Sequence, residues 1–168
     1  MEAIERRVRD IVATMPGAEV IDCDPALADT ADFCAAYGYS LDDSANAIVV
    51  IGKASSAVVA PVYAACVVLA TTRLDVNRAV RQRLGTKKAS FAPAEVTAAL
   101  TGMTMGGVTP FALPADLALW IDARVMQRDR IIVGGGSRAA KVVGPPSMLL
   151  TIAQAEVVTD LAILLPTE

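Results

Sequence analysis

The stretch Leu100-Thr-Gly-Met-Thr-Met-Gly-Gly-Val-Thr-Pro110 decides how the rest of the chain is arranged. Gly102 is typical of a residue that ends a helix, and Gly106 and Gly107 stand side by side before Pro110. Because proline fixes its own φ and holds the preceding residue extended, the stretch predicts a fixed loop between a helix and the strands that follow. Such a loop can present backbone N–H groups to a carbonyl oxygen or an anion. A plain turn is the competing interpretation.

Composition around this loop predicts one domain, residues 1–168, with a mixed sheet. Hydrophobic residues make up 54% of the 168 residues and aromatic residues only 4%, so the core is built from small aliphatic side chains. No uninterrupted apolar run approaches the roughly 18 residues of a membrane span, and the charged N-terminus lacks the pattern of a signal peptide. We therefore expect a cytoplasmic protein with no membrane partner.

The chain contains no histidine, and this absence narrows the chemistry. It excludes Ser-His-Asp and Cys-His nucleophilic schemes and histidine-ligated metals. The three cysteines, Cys23, Cys34 and Cys66, are widely spaced, which favours reduced thiols over a disulfide framework or a zinc site. We expect no metal and no cofactor.

Hydrophobic periodicity divides the chain into helices and strands that do not alternate strictly. Helical patterns cover residues 2–15, 25–37, 76–84, 93–101 and 146–154, with Asp75 as the expected cap of the third. Strand patterns cover residues 19–23, 46–53, 63–71, 87–91, 117–122, 130–133, 141–143 and 157–164. The irregular order predicts a mixed, curled α+β sheet with peripheral helices rather than a doubly wound parallel sheet.

Basic residues cluster between residues 73 and 88, where Asp75 is the only acid. The cluster forms a patch suited to a polyanion, and a solvated helix face is the equally weighted alternative. No aromatic residue interleaves it, so contact with nucleic acid would be to phosphate rather than to bases. The basic residues are Arg73, Arg78, Arg81, Arg83, Lys87 and Lys88.

Three further features are weighed against purely structural roles: a glycine run, a carboxylate at the end of a strand and two serines. The run Gly134-Gly135-Gly136-Ser137 follows a strand, but neither phosphate-loop nor dinucleotide fingerprints are present, so it is a tight turn or a pocket wall. Asp122 ends an apolar strand, where its carboxylate must meet backbone donors, an arginine or a ligand, so a structural cap and a pocket residue are the two interpretations. Ser44 and Ser137 have no base to activate them, so serine nucleophilic catalysis is poorly supported.

Several ordered segments together resemble one family, the YbaK-type aminoacyl-tRNA deacylases, which include the editing domain inserted in bacterial prolyl-tRNA synthetases. The most specific is Leu100-Thr101-Gly102 followed by Gly106-Gly107-Val108-Thr109-Pro110-Phe111. The others are residues 46–50, Arg73-Leu74-Asp75 with Leu84-Gly85-x-Lys87-Lys88, Trp120-Ile121-Asp122, residues 131–136 and a terminal helix near Leu149.

The resemblance implies a partly closed, barrel-like mixed sheet with surrounding helices. It also implies hydrolysis, in trans, of the ester that joins a small mischarged amino acid to the tRNA 3′ adenosine, assisted by substrate hydroxyls and bound water. The amides of Gly106, Gly107 and Val108 would then form the oxyanion site. The other expected pocket residues are Asn46, Thr109, Pro110, Asp122, Gly134, Gly135 and Gly136. Arg78, Arg81, Lys87 and Lys88 would contact the tRNA, with no role for DNA.

One departure from the family pattern concerns the strand at residues 46–50. The family carries a lysine at its start, and here the aligned residue is Asn46, or Ala45 if the register shifts by one. Asn46 is the expected polar group, and Lys53 or Lys87 could reach in from elsewhere. A non-catalytic module that binds aminoacyl-tRNA or a nucleotide-like molecule is the alternative function, and a hydrolase of another small ester or amide is a third. Both a monomer and a homodimer stay open.

Overall fold

Ten strands form three sheets in the computed structural model, which describes residues 2–56 and 58–166. The two longest strands, at residues 45–52 and 62–69, contain several β-branched residues, as β-propensity favours. The strands are β1 (Glu19–Asp22), β2 (Ala45–Gly52), β3 (Val62–Leu69), β4 (Thr72–Leu74), β5 (Ala89–Phe91), β6 (Ala118–Asp122), β7 (Ile131–Gly134), β8 (Ala140–Gly144), β9 (Ala155–Val158) and β10 (Ala162–Leu164).

The first helix precedes the first strand and ends at Val12, with Ala13 in a right-handed conformation, whereas the later α-helices end where glycine permits a left-handed residue. Gly38, Gly85 and Gly102 each follow a helix with a positive φ, so the expected helix ends after residues 37, 84 and 101 are confirmed. The helices are α1 (Ala3–Val12), α2 (Thr30–Tyr37), α3 (Arg81–Leu84) and α4 (Ala94–Thr101). None of the helices in the described ranges is long and apolar enough to cross a bilayer.

The sheet topology confirms a mixed α/β fold but not a barrel. The largest sheet has the order β5-β2-β3-β6-β9, antiparallel from β5 to β3 and parallel from β3 to β9. A second, antiparallel sheet has the order β1-β8-β7, and β4 pairs with β10. Among the described strands no sheet closes on itself, so the expected partly closed barrel is not supported.

Two apolar layers cover the two faces of the five-stranded sheet, because successive side chains along each strand point to opposite faces. Val67 and Ile121 belong to the layer that also contains α1 residues and the β7–β8 hairpin. Cys66 and Trp120 belong to the layer beneath the helical segment that follows β4. A parallel bridge between Ser44 and Ile132 brings the start of β2 beside β7.

The expected helix over residues 25–37 is wrong in its first half. Asp24 caps a 3₁₀ turn (Pro25–Leu27), accepting a hydrogen bond from the Ala26 N–H, and the α-helix begins only at Thr30. The break frees the Ala28 carbonyl from helical hydrogen bonding, so that it can accept a hydrogen bond from elsewhere in the chain.

Three other expectations at element ends are also corrected. The Asp75 side chain makes no capping hydrogen bond to the segment after it, whose first turn (Val76–Val80) is π-helical. The last strand pattern splits into β9 and β10 at Asp160, whose φ of 58° turns the chain. The expected final helix is a 3₁₀ helix (Pro146–Thr151), in keeping with its two consecutive prolines.

Candidate active site

The segment of residues 102–110 that follows α4, here named the glycine loop, is held by hydrogen bonds within it and to the turn between β7 and β8. The Gly107 N–H donates to the Thr104 carbonyl oxygen at 3.0 Å, and the Gly107 carbonyl accepts from the Gly136 N–H at 2.9 Å. Thr109 is completely buried, and its hydroxyl accepts from the Phe111 N–H at 3.3 Å. The loop is therefore the fixed structure that its glycines and proline predict.

Two glycines allow this loop to approach the β7–β8 hairpin. Gly106 has a φ of 85°, and a Cβ there would collide with the guanidinium of Arg138. A Cβ on Gly134 would collide with the Val108 carbonyl oxygen. These close approaches form one wall of a cavity.

The cavity has a volume of about 290 Å³ and lies between the first half of β2, the loop that precedes α2, the glycine loop and the β7–β8 hairpin. Its lining residues come from these segments: Ala28, Asp29, Thr30, Ala45, Asn46, Ala47, Ile48, Met105, Gly106, Val108, Gly134 and Lys141. Four of the predicted pocket residues, Asn46, Gly106, Val108 and Gly134, are thus brought together.

The β2 side of the cavity is an unpaired strand edge. β5 pairs only with residues 50–52 of β2, and β7 reaches this side only at the bridge between Ser44 and Ile132, so none of the described strands pairs with residues 46–48 there. The Val49 carbonyl accepts from the Ala92 N–H at this edge, and the peptide groups of a strand alternate in direction. The peptide group of Ala47 therefore points to the open edge that lines the cavity.

Lys141 is the cation of the cavity, and sequence reasoning missed it. Its side chain is only 7% exposed, and its ammonium donates to the carbonyl oxygens of Ala28 at 2.6 Å and Gly106 at 3.2 Å. The Phe33 ring lies 5.5 Å from Nζ. No carboxylate among the described residues forms an ion pair with Lys141, and burial lowers its pKa. A lone lysine inside the buried strand Ala-Lys-Val-Val-Gly was the available signal.

Asn46 contributes an oriented amide to the same cavity. The Thr30 hydroxyl donates to Asn46 Oδ1 at 2.9 Å, which leaves the Asn46 Nδ2 group to donate elsewhere. The N–H groups of Gly106 and Val108 have no acceptor among the residues the structure describes. Asn46, Gly106, Val108 and Lys141 therefore provide donors around one space.

Arg138 lies at the outer side of the cavity and bonds to the segments on either side of it. Its guanidinium donates to the Asp29 carboxylate, to the Met105 carbonyl and to the Pro25 carbonyl, each at 3.1 Å. Arg138 therefore links the loop that precedes α2 to the glycine loop on the exposed side, as Lys141 links them on the buried side.

Several predicted pocket residues lie outside the cavity. The Gly107 amide is already bonded to Thr104, so it is not a free donor. Gly135 packs against Ala140 and Gly136 against Ile4, which makes them turn residues. Thr109 caps a 3₁₀ turn in which Pro110 is buried.

Asp122 is also outside the cavity and has a structural role. Its carboxylate is 1% exposed and accepts from the backbone N–H groups of Ala162 at 2.6 Å and Arg124 at 2.8 Å. It therefore ties the end of β6 to β10.

The predicted tRNA-binding residues lie on α3, on the turn before it and on the segment between α3 and β5, outside the cavity lining. They are here named the basic face: Arg78, Arg81, Lys87 and Lys88. Arg78, Lys87 and Lys88 are exposed, and no carboxylate in the described part of the chain pairs with any of the four. Neighbouring Arg83, in contrast, pairs with Glu156 at 2.7 Å. Neither Lys53 nor Lys87 lines the cavity.

The described ranges contain no group of three or more Cys, Asp and Glu side chains that could hold a metal ion. The three cysteines are buried and form no disulfide, and burial raises the pKa of the Cys66 thiol to about 12.

The chain belongs to the aminoacyl-tRNA editing domain family, which matches residues 24–152 and so spans every segment around the cavity. A crystal structure of a proposed trans-editing enzyme for prolyl-tRNA synthetase is similar over 97% of this chain and 98% of its own, with a TM-score of 0.77 and 21% identity.

Two other solved structures share the fold. The hypothetical protein APE2540 is 24% identical, with a TM-score of 0.78 over 96% of this chain and 99% of its own. A proposed signal transduction protein from Marinobacter aquaeolei VT8 is 13% identical, and the match, with a TM-score of 0.55, covers 31% of that longer chain. No curated protein is significantly similar in sequence.

Proposed function

We propose that this chain is a trans-acting deacylase that hydrolyses the ester between a small mischarged amino acid and the 3′ adenosine of a tRNA. The observation that carries the proposal is the buried ammonium of Lys141 without a carboxylate partner, beside a cavity whose Asn46, Gly106 and Val108 offer further donors. A buried charge without a counter-charge is costly, so the site suits a ligand that brings or develops negative charge.

Ester hydrolysis develops that charge in its transition state. Water adds to the carbonyl carbon, the carbonyl electron pair moves to oxygen, and the resulting oxyanion collapses as the bond to the ribose oxygen breaks. The proton lost by water goes to the leaving ribose oxygen, so the products are the free amino acid and the tRNA hydroxyl. In the proposed mechanism Lys141 and the free amides stabilise the oxyanion, a contribution of about 3 kcal/mol for a single donor in other acyl-transfer enzymes.

The lining of the cavity supports a small amino acid. The side chains of Ala28, Ala45 and Ala47 are methyl groups, and the volume of about 290 Å³ must also hold part of the ribose. The resemblance implies a lysine at the start of β2, where this chain has Asn46, and in the proposed mechanism Lys141 from β8 takes the electrostatic role of that lysine. Asn46 then acts as an orienting donor.

The basic face supports a polyanionic partner, and we propose that it contacts the tRNA backbone. Its four cations have no carboxylate partner among the described residues, so phosphates can neutralise them. A cytoplasmic location belongs to the same proposal.

The test is hydrolysis, under multiple-turnover conditions, of tRNAs charged with alanine, serine, cysteine, threonine and proline, using wild-type protein and an Asn46→Ala variant. Selective turnover that decreases in the variant supports the proposal. Salt-dependent tRNA binding without turnover instead supports the non-catalytic binding module, and turnover of simple esters without tRNA supports the broader hydrolase.

A further inference from the structure

The cavity contains a negative charge as well as a positive one. Asp29 lines it beside Lys141, and its side chain is 68% exposed, so this carboxylate lies at the solvent side while the ammonium is buried. The two groups form no ion pair within 4.0 Å. Burial lowers the pKa of Lys141, and the negative charge of Asp29 acts in the opposite direction, so the two side chains still interact electrostatically.

Both charges have bonding capacity left. The Lys141 ammonium has three N–H donors, of which Ala28 and Gly106 accept two. Arg138 contacts Asp29 only at Oδ1, so Oδ2 can accept a further hydrogen bond. Ala47, at the open strand edge, lines the same cavity.

A free α-amino acid carries the complementary pair of charges on one carbon atom. Its carboxylate matches Lys141, with the Asn46 amide as a second donor, and its ammonium matches the Asp29 carboxylate. The alanine methyl groups of the lining leave room for a small side chain. An aminoacyl ester has the ammonium but lacks the carboxylate, so the bound substrate offers Lys141 no lasting negative charge, and after the short-lived oxyanion only the product carboxylate does.

We infer that the cavity binds a small free α-amino acid as a zwitterion, between Lys141 and Asp29, and that the product of hydrolysis inhibits the protein by occupying this site. Inhibition rests on the proposed function, whereas binding of the amino acid does not. Substrate and product would compete for one cavity, so inhibition should be competitive with the aminoacyl-tRNA.

The binding test uses calorimetry with alanine, alaninamide and propionate. Alaninamide lacks the carboxylate and propionate lacks the ammonium, and each should bind at least about tenfold more weakly than alanine, as the loss of a charge-assisted hydrogen bond implies. The Lys141→Gln variant should bind alanine only as tightly as the wild type binds alaninamide. The Asp29→Asn variant should bind alanine only as tightly as the wild type binds propionate.

The controls are Lys53→Gln and Asp32→Asn, which change exposed residues outside the cavity and should leave alanine affinity unchanged. Thermal unfolding of each variant verifies that it is folded. Wild-type protein that fails to bind alanine at millimolar concentrations, or binds alaninamide equally well, overturns the inference.

Deacylation measured on the same preparations, with and without added alanine, separates the two proposals. Turnover without inhibition by alanine overturns the inference and leaves the deacylase standing. Alanine binding without turnover on any charged tRNA supports the amino-acid site and contradicts the deacylase.

Discussion

The ammonium of Lys141 on β8 donates to the carbonyl oxygen of Gly106 at 3.2 Å, which joins the β7–β8 hairpin to the glycine loop across the cavity. The same ammonium reaches the Ala28 carbonyl, which is free because the expected helix breaks before residue 30. One buried cation therefore holds two loops in place while keeping a donor for a ligand.

Replacing Gly106 with alanine should destabilise the protein more than the same change at Gly38. Both residues have positive φ, which costs an alanine about 1–2 kcal/mol. A Cβ on Gly38 meets nothing within 4 Å, whereas one on Gly106 collides with Arg138. Chemical denaturation measures both differences. A second change, Arg138→Ala, should recover part of the loss in Gly106→Ala, and equal losses in the two single variants would contradict the close approach.

The Glu5 carboxylate should stabilise the fold at neutral pH by linking α1 to the β7–β8 hairpin. It accepts a hydrogen bond from the Ser137 hydroxyl at 2.6 Å and pairs with Arg9 at 2.9 Å. Burial acts to raise the pKa of Glu5, but the hydrogen bonds from Ser137 and Arg9 outweigh it, so the pKa falls below 4.5. Glu5→Gln should cost about 2 kcal/mol of unfolding free energy at pH 7.

The pH dependence follows from the direction of this shift. Because the folded-state pKa is lower than the unfolded-state value, the stabilisation is complete above pH 4.5 and disappears as pH falls through the folded-state pKa. The stability difference between wild type and Glu5→Gln should therefore narrow below pH 4.5. A difference that stays constant from pH 7 to pH 3 would show that the carboxylate charge is irrelevant.

Removing three cations from the basic face should weaken tRNA binding without affecting the cavity. The variant Arg78→Ala, Arg81→Ala, Lys88→Ala should have a higher KM for aminoacyl-tRNA and a shallower salt dependence, because fewer phosphates are neutralised. Hydrolysis of an aminoacyl adenosine, which lacks the tRNA body, should be unchanged. The matched control removes three other exposed cations, Arg6, Arg7 and Lys53. Equal changes in KM and in salt dependence in the two triple variants would contradict the assignment of the basic face as the surface that contacts tRNA.

The sequence predicted those features that depend on local backbone chemistry. The end of α4 at Gly102 and the fixed loop that follows could be predicted because proline and left-handed glycine constrain neighbouring residues directly. The mixed sheet also followed from the spacing of its strands.

Features that depend on tertiary contacts could not be predicted in this way. Lys141 becomes a cavity residue only because β1, β8 and β7 form a separate sheet beside the start of β2. Asp122 ends its strand as expected, but its partners on β10 are distant in sequence, and they make it a structural residue rather than a ligand. The Gly107 N–H is not a free donor because it bonds to the Thr104 carbonyl, and the sequence does not specify this turn.

The most direct test of the central claim compares the deacylation kinetics of Lys141→Gln with those of wild type and of Lys53→Gln on the charged tRNA that wild type hydrolyses best. Glutamine keeps an N–H donor for the Ala28 or Gly106 carbonyl but removes the positive charge. We expect kcat to fall about a hundredfold in Lys141→Gln, as for the loss of an oxyanion donor, with KM for the tRNA nearly unchanged and Lys53→Gln equal to wild type. A folded Lys141→Gln variant with wild-type kcat would contradict the role of Lys141 in catalysis.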